Sequence, residues 1–314
     1  MITGAAGFVG RHVVAALLAA GRDIADIVGV VRREDRRAGA AMRLIDADIE
    51  DSAAMRAAIA SERPSAVIHL AAIAAPAAAS ADAARAWRIN FSAVLQLADI
   101  MLVEAPSARL VFAGSSESYG ESFRLIRGAL SESAPLRPTT TYAATKAAAD
   151  IMLGQRTFDG LDCIRFRAFN HTGAGQDDAF VAPAFARQIA LIEKELQEPI
   201  IRVGNLDAQR DFLDVRDVAR AYVLALDAPR AIGDDTAVNI CSGAALRIGD
   251  LLESLLSRST VRIAIARDER LLRPSDTPVA LGDNARARER LRWSPRHTID
   301  EALGDVLDNW RRRV

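Results

Sequence analysis

What this chain has little of limits it before anything else does. Only two cysteines occur in 314 residues. Both Cys163 and Cys241 sit in apolar runs (LDCIRF and VNICSG) that read as strands, so buried reduced thiols are expected rather than a disulfide or a metal site. Neither sign of charge dominates: 40 basic side chains face 41 acidic ones, a net charge of -1, and no electrostatic footprint for nucleic acid results. The longest apolar stretch, Ala66 to Ala79, is interrupted by His69 and Pro76 and falls short of the ~18 to 20 residues that span a bilayer. No charged-then-apolar signal sequence opens the chain, so a cytoplasmic address without a membrane partner is expected. The histidines His12, His69, His171 and His297 are scattered without ligand spacing, and no metal is expected. Repeats and low-complexity linkers are missing as well. What remains is ordinary globular composition, 50% apolar and 26% charged, with enough chain for a sizeable core in one large or two fused domains.

Short β-branched runs alternate with alanine-rich helical stretches. Ile27 to Val31, Ala66 to Leu70, Leu110 to Ala113 and Cys163 to Phe166 are separated by segments long enough for crossover helices, which predicts an α/β fold with a doubly wound parallel sheet. After about Asn170 the rhythm loosens into a glycine-bearing loop, a helix-like Phe185 to Glu198 and mixed segments. Asp211 to Leu226 followed by Ala237 to Cys241 reads as a return to the sheet. The expected organisation is therefore a dinucleotide-binding Rossmann domain over 1–169 and 211–241, interleaved with a smaller α/β substrate domain over 170–210 and 242–314.

Thr3-Gly4-Ala5-Ala6-Gly7-Phe8-Val9-Gly10 leads into a helical run, Arg11 to Ala20. A strand turning into a helix through glycines lets backbone approach a pyrophosphate, with helix N–H groups and the positive dipole end facing the anion. Glycines also occur in such turns merely to pack a helix on a strand. Only Met1 and Ile2 precede Thr3, which raises the expectation that the natural chain starts a few residues earlier. Where NAD sites usually carry an acidic residue for the ribose 2′-hydroxyl, Arg32 and Arg33 follow the second strand. Two forked guanidiniums there favour a 2′-phosphate, so NADP(H) is preferred, with NAD(H) also open; the other reading is solvated loop charge paired with Glu34 and Asp35.

Tyr142 and Lys146 stand four residues apart at the start of an alanine-rich helical run, hence on one helix face. An ammonium ~4 Å from a phenol contributes ~4 kcal/mol at an effective dielectric of 20, about three pKa units. That effect would bring Tyr142 into the working range of a general acid or base. Ser115, Ser116 and Glu117 follow the run Leu110 to Ala113, beyond the carboxyl end of a strand, where open α/β sheets gather ligand-contacting groups. Serine-rich segments also serve simply as turns.

Taken in order, Thr-Gly-x-x-Gly-x-x-Gly at Thr3 to Gly10, His69-Leu70-Ala71-Ala72 after a strand, Ser115 and Tyr142-x-x-x-Lys146 make the chain resemble the extended short-chain dehydrogenases, the NAD-dependent epimerases and dehydratases, along essentially its whole length. The resemblance implies catalysis by Ser115, Tyr142 and Lys146. It implies cofactor contacts at Gly4, Gly7, Phe8, Val9, Gly10, Arg32, Arg33, Asp48, Ile49, Leu70, Ala71 and Ala72, with Asp48-Ile49 beside the adenine, and contacts from Tyr142 and Lys146 themselves. Two further stretches, Arg167 to Gln176 and Val203 to Asp217, together with Val238 to Gly243 and Leu272 to Asp276, look like the branch acting on GDP-sugars. In that branch Asn170, Arg210 and Arg273 would hold the substrate diphosphate, guanidiniums forking onto its oxygens. Ala168 and Ala174 stand where relatives usually have proline, which loosens the loop but removes no functional group. Reduction of the C4 ketone of a GDP-4-keto-6-deoxy-hexose is the reading favoured by the segment His171 to Gln176. The rival is dehydration of GDP-mannose, with Ser116 and Glu117 as added acid and base or as sugar contacts, or another epimerase or dehydratase reaction on a nucleotide sugar. A nucleotide-binding protein without catalysis is the remote alternative. A homodimer is implied too, through the helices around Asn90 to Leu102 and Tyr142 to Leu153.

Overall fold

The computed structural model describes residues 1–32, 42–271 and 277–314. Its strands in chain order are β1 (Ile2–Thr3), β2 (Val28–Val31), β3 (Arg43–Asp46), β4 (Ala66–His69), β5 (Arg109–Ala113), β6 (Asp162–Ala168), β7 (Asn170–Thr172), β8 (Ile200–Val203), β9 (Gln209–Asp214), β10 (Ala237–Ile240), β11 (Ala245–Arg247), β12 (Ala264–Arg267) and β13 (Val279–Ala280). Seven of them form one sheet in the order β10-β6-β5-β4-β1-β2-β3. All of its pairings are parallel: Ile2 lies opposite Gly29 on one side and Ile68 on the other, and Val238 lies opposite Phe166. The expected doubly wound sheet is therefore present. Strand order reverses between β1 and β4, and ligands of such sheets bind beyond the carboxyl ends at that reversal.

Both faces of this sheet are covered, which is why its strands read as unbroken apolar runs. On one face Val13, Val14 and Leu17 of the helix Phe8–Ala19 pack with Val218 and Tyr222 of the helix Val215–Ala225. On the other, Met55 and Ile59 meet Leu97, Ala98, Met101 and Leu153. Each such side chain, fully buried, contributes about 1.5–3 kcal/mol. The continuous helical run Ala83–Glu104, 22 residues long, is apolar enough to cross a bilayer by length and composition, but half of it is buried inside the protein. It is a core helix here, packed on the sheet and on the helix Thr141–Arg156.

A second apolar cluster lies apart from the sheet. Phe185 and Ile189 of the helix Val181–Glu193 pack with Leu251 and Leu255 of Ile248–Leu256 and with Leu303, Leu307 and Trp310 of Ile299–Arg313. The helix expected over Phe185 to Glu198 starts earlier and stops at Glu193, and Glu195 then turns left-handed with φ +60°. β9 is the hinge of this region: it pairs antiparallel with β11 and parallel with β13 and β7. β8 and β12 form a separate parallel pair. Cys163 and Cys241 are both free and buried.

Candidate active site

The glycine turn is as tight as its spacing demands. Gly4 is left-handed at φ +69°, and a Cβ there would stand 2.9 Å from the Ala71 amide nitrogen. At Gly10 a Cβ would meet the Gly4 carbonyl oxygen at 2.3 Å, closing off any larger residue. Gly7 caps the helix Phe8–Ala19 without a side chain, so no local oxygen occupies the first amides. These features build a cleft of about 600 Å³ lined by Gly4, Gly7, Arg32, Asp48, Ile49, Leu70, Ala71 and Ala72. A cradle of bare backbone at a helix N-terminus, walled by an arginine after β2, fits a dinucleotide pyrophosphate and its adenosine. Phe8, Val9 and Gly10 of the expected set lie behind this lining, in the helix. Arg33 lies outside the described residues. Sequence reasoning missed Arg11 and Arg85, which also line the cleft; Arg11 directly follows the third glycine, which was the signal for it.

From the cleft the structure leads to the tyrosine. Ile73, at the cleft wall, packs against Tyr142 with Ala79 and Ala86. Asn90 holds the loop there: its Oδ1 accepts from the Ile73 amide at 2.9 Å, and its Nδ2 donates to the Ile73 carbonyl at 3.1 Å and to Thr145 Oγ1 at 3.1 Å. Thr140 caps the helix Thr141–Arg156 by accepting from the Ala143 amide at 3.2 Å, which fixes where Tyr142 and Lys146 project.

Ser115 begins a short 3-10 turn just past β5, and its hydroxyl accepts from the Glu117 amide at 3.2 Å. It also lies close enough to the Tyr142 phenol to favour its ionised form. Lys146 Nζ donates to the carbonyl of Ala113, two residues before Ser115, at 2.8 Å, and lies 5.0 Å from the Phe112 ring centroid. Ser115, Tyr142 and Lys146 are thus gathered at the carboxyl end of β5. Ser116 is buried and Glu117 exposed beside them.

The expected lowering of the phenol by the ammonium is overturned. Burial pushes the Tyr142 hydroxyl up to about 12, with the neighbouring Ser115 hydroxyl acting downward and the Glu117 charge upward. Burial of the phenol disfavours its charged form, and burial of the ammonium likewise brings Lys146 down to about 8. Burial also holds the His69 imidazole neutral, down to about 3, helped by the Lys146 charge. Its Nδ1 pairs with Thr3 Oγ1 at 2.8 Å and its ring stacks on Phe112, so His69 is a packing residue at a strand end.

Asn170 and Arg210 come together through β7 and β9, where Asn170 lies opposite Phe212. Arg210 and Phe212, two residues apart, share one strand face. The Arg210 guanidinium donates to the Thr277 carbonyl at 2.6 Å and the Gln209 carbonyl at 2.9 Å. Arg273 lies outside the described residues. His171 is half-buried, with Nδ1 paired to the Phe169 carbonyl at 2.9 Å and its pKa lowered, chiefly by desolvation.

A doubly wound sheet, a glycine cradle at its switch point and a Ser-Tyr-Lys cluster past the carboxyl end of β5 define a nicotinamide-dinucleotide enzyme. The chain belongs to the NAD dependent epimerase/dehydratase family, which it matches over residues 1–241. It is 33% identical to the GDP-6-deoxy-D-mannose reductase of Pseudomonas aeruginosa, an alignment spanning 100% of this chain and 97% of that protein. The solved structure of RMD from Pseudomonas aeruginosa with NADPH superposes with a TM-score of 0.84 at 30% identity, covering 100% of this chain and 99% of the other. The Thermus thermophilus UDP-glucose 4-epimerase with NAD gives a TM-score of 0.84 at 25% identity, covering 100% and 99%.

Proposed function

We propose that this enzyme reduces the C4 ketone of a GDP-4-keto-6-deoxy-hexose, converting GDP-4-dehydro-6-deoxy-D-mannose to GDP-D-rhamnose, with NADPH as the preferred reductant and NADH as the alternative. The observation that supports the reading is the convergence of Ser115, Tyr142 and Lys146 past the carboxyl end of β5, where Lys146 Nζ, one helical turn from Tyr142, donates to the Ala113 carbonyl at 2.8 Å. When bound, the nicotinamide supplies the hydride. The chain's own groups handle the proton. Tyr142, with its hydroxyl raised to about 12, is fully protonated at neutral pH, the state needed to donate to a growing alkoxide. Ser115 orients the oxygen, and the Lys146 cation stabilises the phenolate left behind. Arg32 favours the 2′-phosphate of NADPH. Segments 170–210 and 242–314 would form the nucleotide-sugar lobe, with Asn170, Arg210 and Arg273 on the diphosphate. The likeness to a GDP-6-deoxy-D-mannose reductase supports this substrate over others. A homodimer through the helices around Ala93–Glu104 and Thr141–Arg156 belongs to the same reading, and Val103 and Ile151 are exposed there.

A dehydratase of GDP-mannose is the second reading, favoured by one observation: the Glu117 carboxylate acts on Tyr142, so an extra acid or base stands at the site. Incubation with GDP-mannose and, separately, with its 4-keto-6-deoxy derivative plus NADPH separates the two. Stoichiometric NADPH oxidation with the keto sugar and an NMR-defined C4 alcohol are expected. Consumption of GDP-mannose without net NADPH use would replace the reductase reading with the dehydratase.

A further inference from the structure

Phe8, Arg11 and His12 share one face of the helix Phe8–Ala19, at spacings of three and four residues. All three reach the segment 171–175. Phe8 stacks on His171 with ring centroids 6.3 Å apart. His12 Nε2 pairs with the Ala174 carbonyl oxygen at 3.0 Å, and Arg11 Nη2 donates to the Gly175 carbonyl oxygen at 3.3 Å. Gly175 is left-handed at φ +91°, and a Cβ there would stand 3.0 Å from Arg11 Nη2, so the guanidinium lies close against this backbone. From the other side Asn309 Oδ1 accepts from the Gly175 amide at 3.2 Å.

The same Arg11 lines the 600 Å³ cleft together with Gly7, the residue at the helix N-terminus. A guanidinium carries five N–H donors in a rigid fork, and one carbonyl uses few of them. Bonds to ionised phosphate are stronger than bonds to a neutral carbonyl.

We propose that Arg11 is a bridging residue, holding a dinucleotide pyrophosphate and the Gly175 carbonyl at once, so that filling the cofactor cleft tightens the segment 171–176. This rests on the dinucleotide reading of the cleft. Asn170 immediately precedes the segment, so the tightening is transmitted to the edge of the nucleotide-sugar site. By linkage, a ligand that needs an ordered 171–176 segment binds more tightly once the dinucleotide is in place, and the dinucleotide gains equally from that ligand.

The test is amide hydrogen exchange of the 171–176 peptide with and without saturating NADPH, alongside the NADPH Kd from fluorescence titration. In the wild type, NADPH slows exchange of this peptide at least fivefold. Arg11→Met raises the NADPH Kd about tenfold and, at saturation, removes the NADPH-dependent slowing. Asn309→Ala loosens the peptide in both states and keeps the slowing. Wild-type protection in saturated Arg11→Met, or loss of the slowing in Asn309→Ala, would overturn the bridging role while the dinucleotide reading stands. Failure of the wild type to bind either NADPH or NADH would bring down both.

Discussion

Asp150 accepts a hydrogen bond from Arg165 at 2.7 Å, with both side chains only 2% exposed. Its carboxylate also receives Arg167, Nη2 at 2.9 Å and Nε at 3.1 Å. Asp150 lies two helical turns beyond Tyr142, so this clamp docks the helix Thr141–Arg156 onto β6. Arg167 carries the network on to the Tyr119 hydroxyl at 3.1 Å, and that hydroxyl donates to Asn239 of β10 at 2.7 Å. One buried carboxylate is thus shared by two buried guanidiniums beside the site.

Asp150→Ala should therefore be severe. Removing one partner of a buried ion pair leaves uncompensated charge, at a cost of about 3–5 kcal/mol, and here two cations are orphaned. Urea denaturation is expected to report a loss in that range. A loss under about 1 kcal/mol would mean that water reaches Arg165 and Arg167.

That clamp also marks the boundary of what the sequence makes legible. β2, β4 and β5 are uninterrupted apolar runs because both sheet faces are buried, and their positions follow directly. β6 extends beyond its expected limits, from Asp162 to Ala168, because Arg165 and Arg167 point into the protein to meet Asp150; charged residues in a buried strand look like a strand end until their partner is known. The glycine cradle and the trio Ser115, Tyr142 and Lys146 are readable from local spacing. The phenol's acidity is not, since it depends on how much protein covers the hydroxyl. One unused signal was the chain's near-avoidance of lysine, which among 40 basic residues occurs only at Lys146 and Lys194. A lysine retained at 146 can be shifted by burial, as an arginine cannot.

The glycine turn separates packing from ligand approach. Gly10→Ala forces a Cβ to 2.3 Å from the Gly4 carbonyl oxygen and 2.7 Å from that of Ala5, so the loop itself must move. At Gly21, with φ +81° and no neighbour within 4 Å, alanine meets only backbone strain of about 1 kcal/mol. Thermal unfolding should show Gly10→Ala losing at least twice what Gly21→Ala loses, and NADPH binding should weaken by tenfold or more in Gly10→Ala alone.

Lys146 imposes a pH dependence of definite sign. Its ammonium, buried and brought from 10.5 down to about 8, binds fewer protons in the folded than in the unfolded chain between those values. The penalty for burying the charge is fully present below pH 8 and is relieved as pH rises towards 10.5. A shift from 10.5 to about 8 corresponds to about 3 kcal/mol, from which the lost bond to Ala113 must be subtracted. Lys146→Met is accordingly expected to be more stable relative to the wild type at pH 7 than at pH 10. A difference that stays constant across that range, in urea titrations at both pH values, would show that the amine is not desolvated.

Tyr142→Phe tests the proposed proton donor itself. Tyr142 is 9% exposed and its hydroxyl, raised to about 12, is protonated at neutral pH, so its deletion removes a proton donor without adding or removing charge. Losing a positioned general acid costs about 10²- to 10⁴-fold in rate. Tyr142 does not line the proposed dinucleotide cleft, so NADPH affinity should change by no more than about twofold. Stopped-flow NADPH oxidation with the 4-keto sugar, paired with equilibrium titration of NADPH, measures both quantities on one preparation. Turnover within a few-fold of wild type would move the proton to another group, and Glu117, whose charge already acts on Tyr142, would be the next side chain to replace.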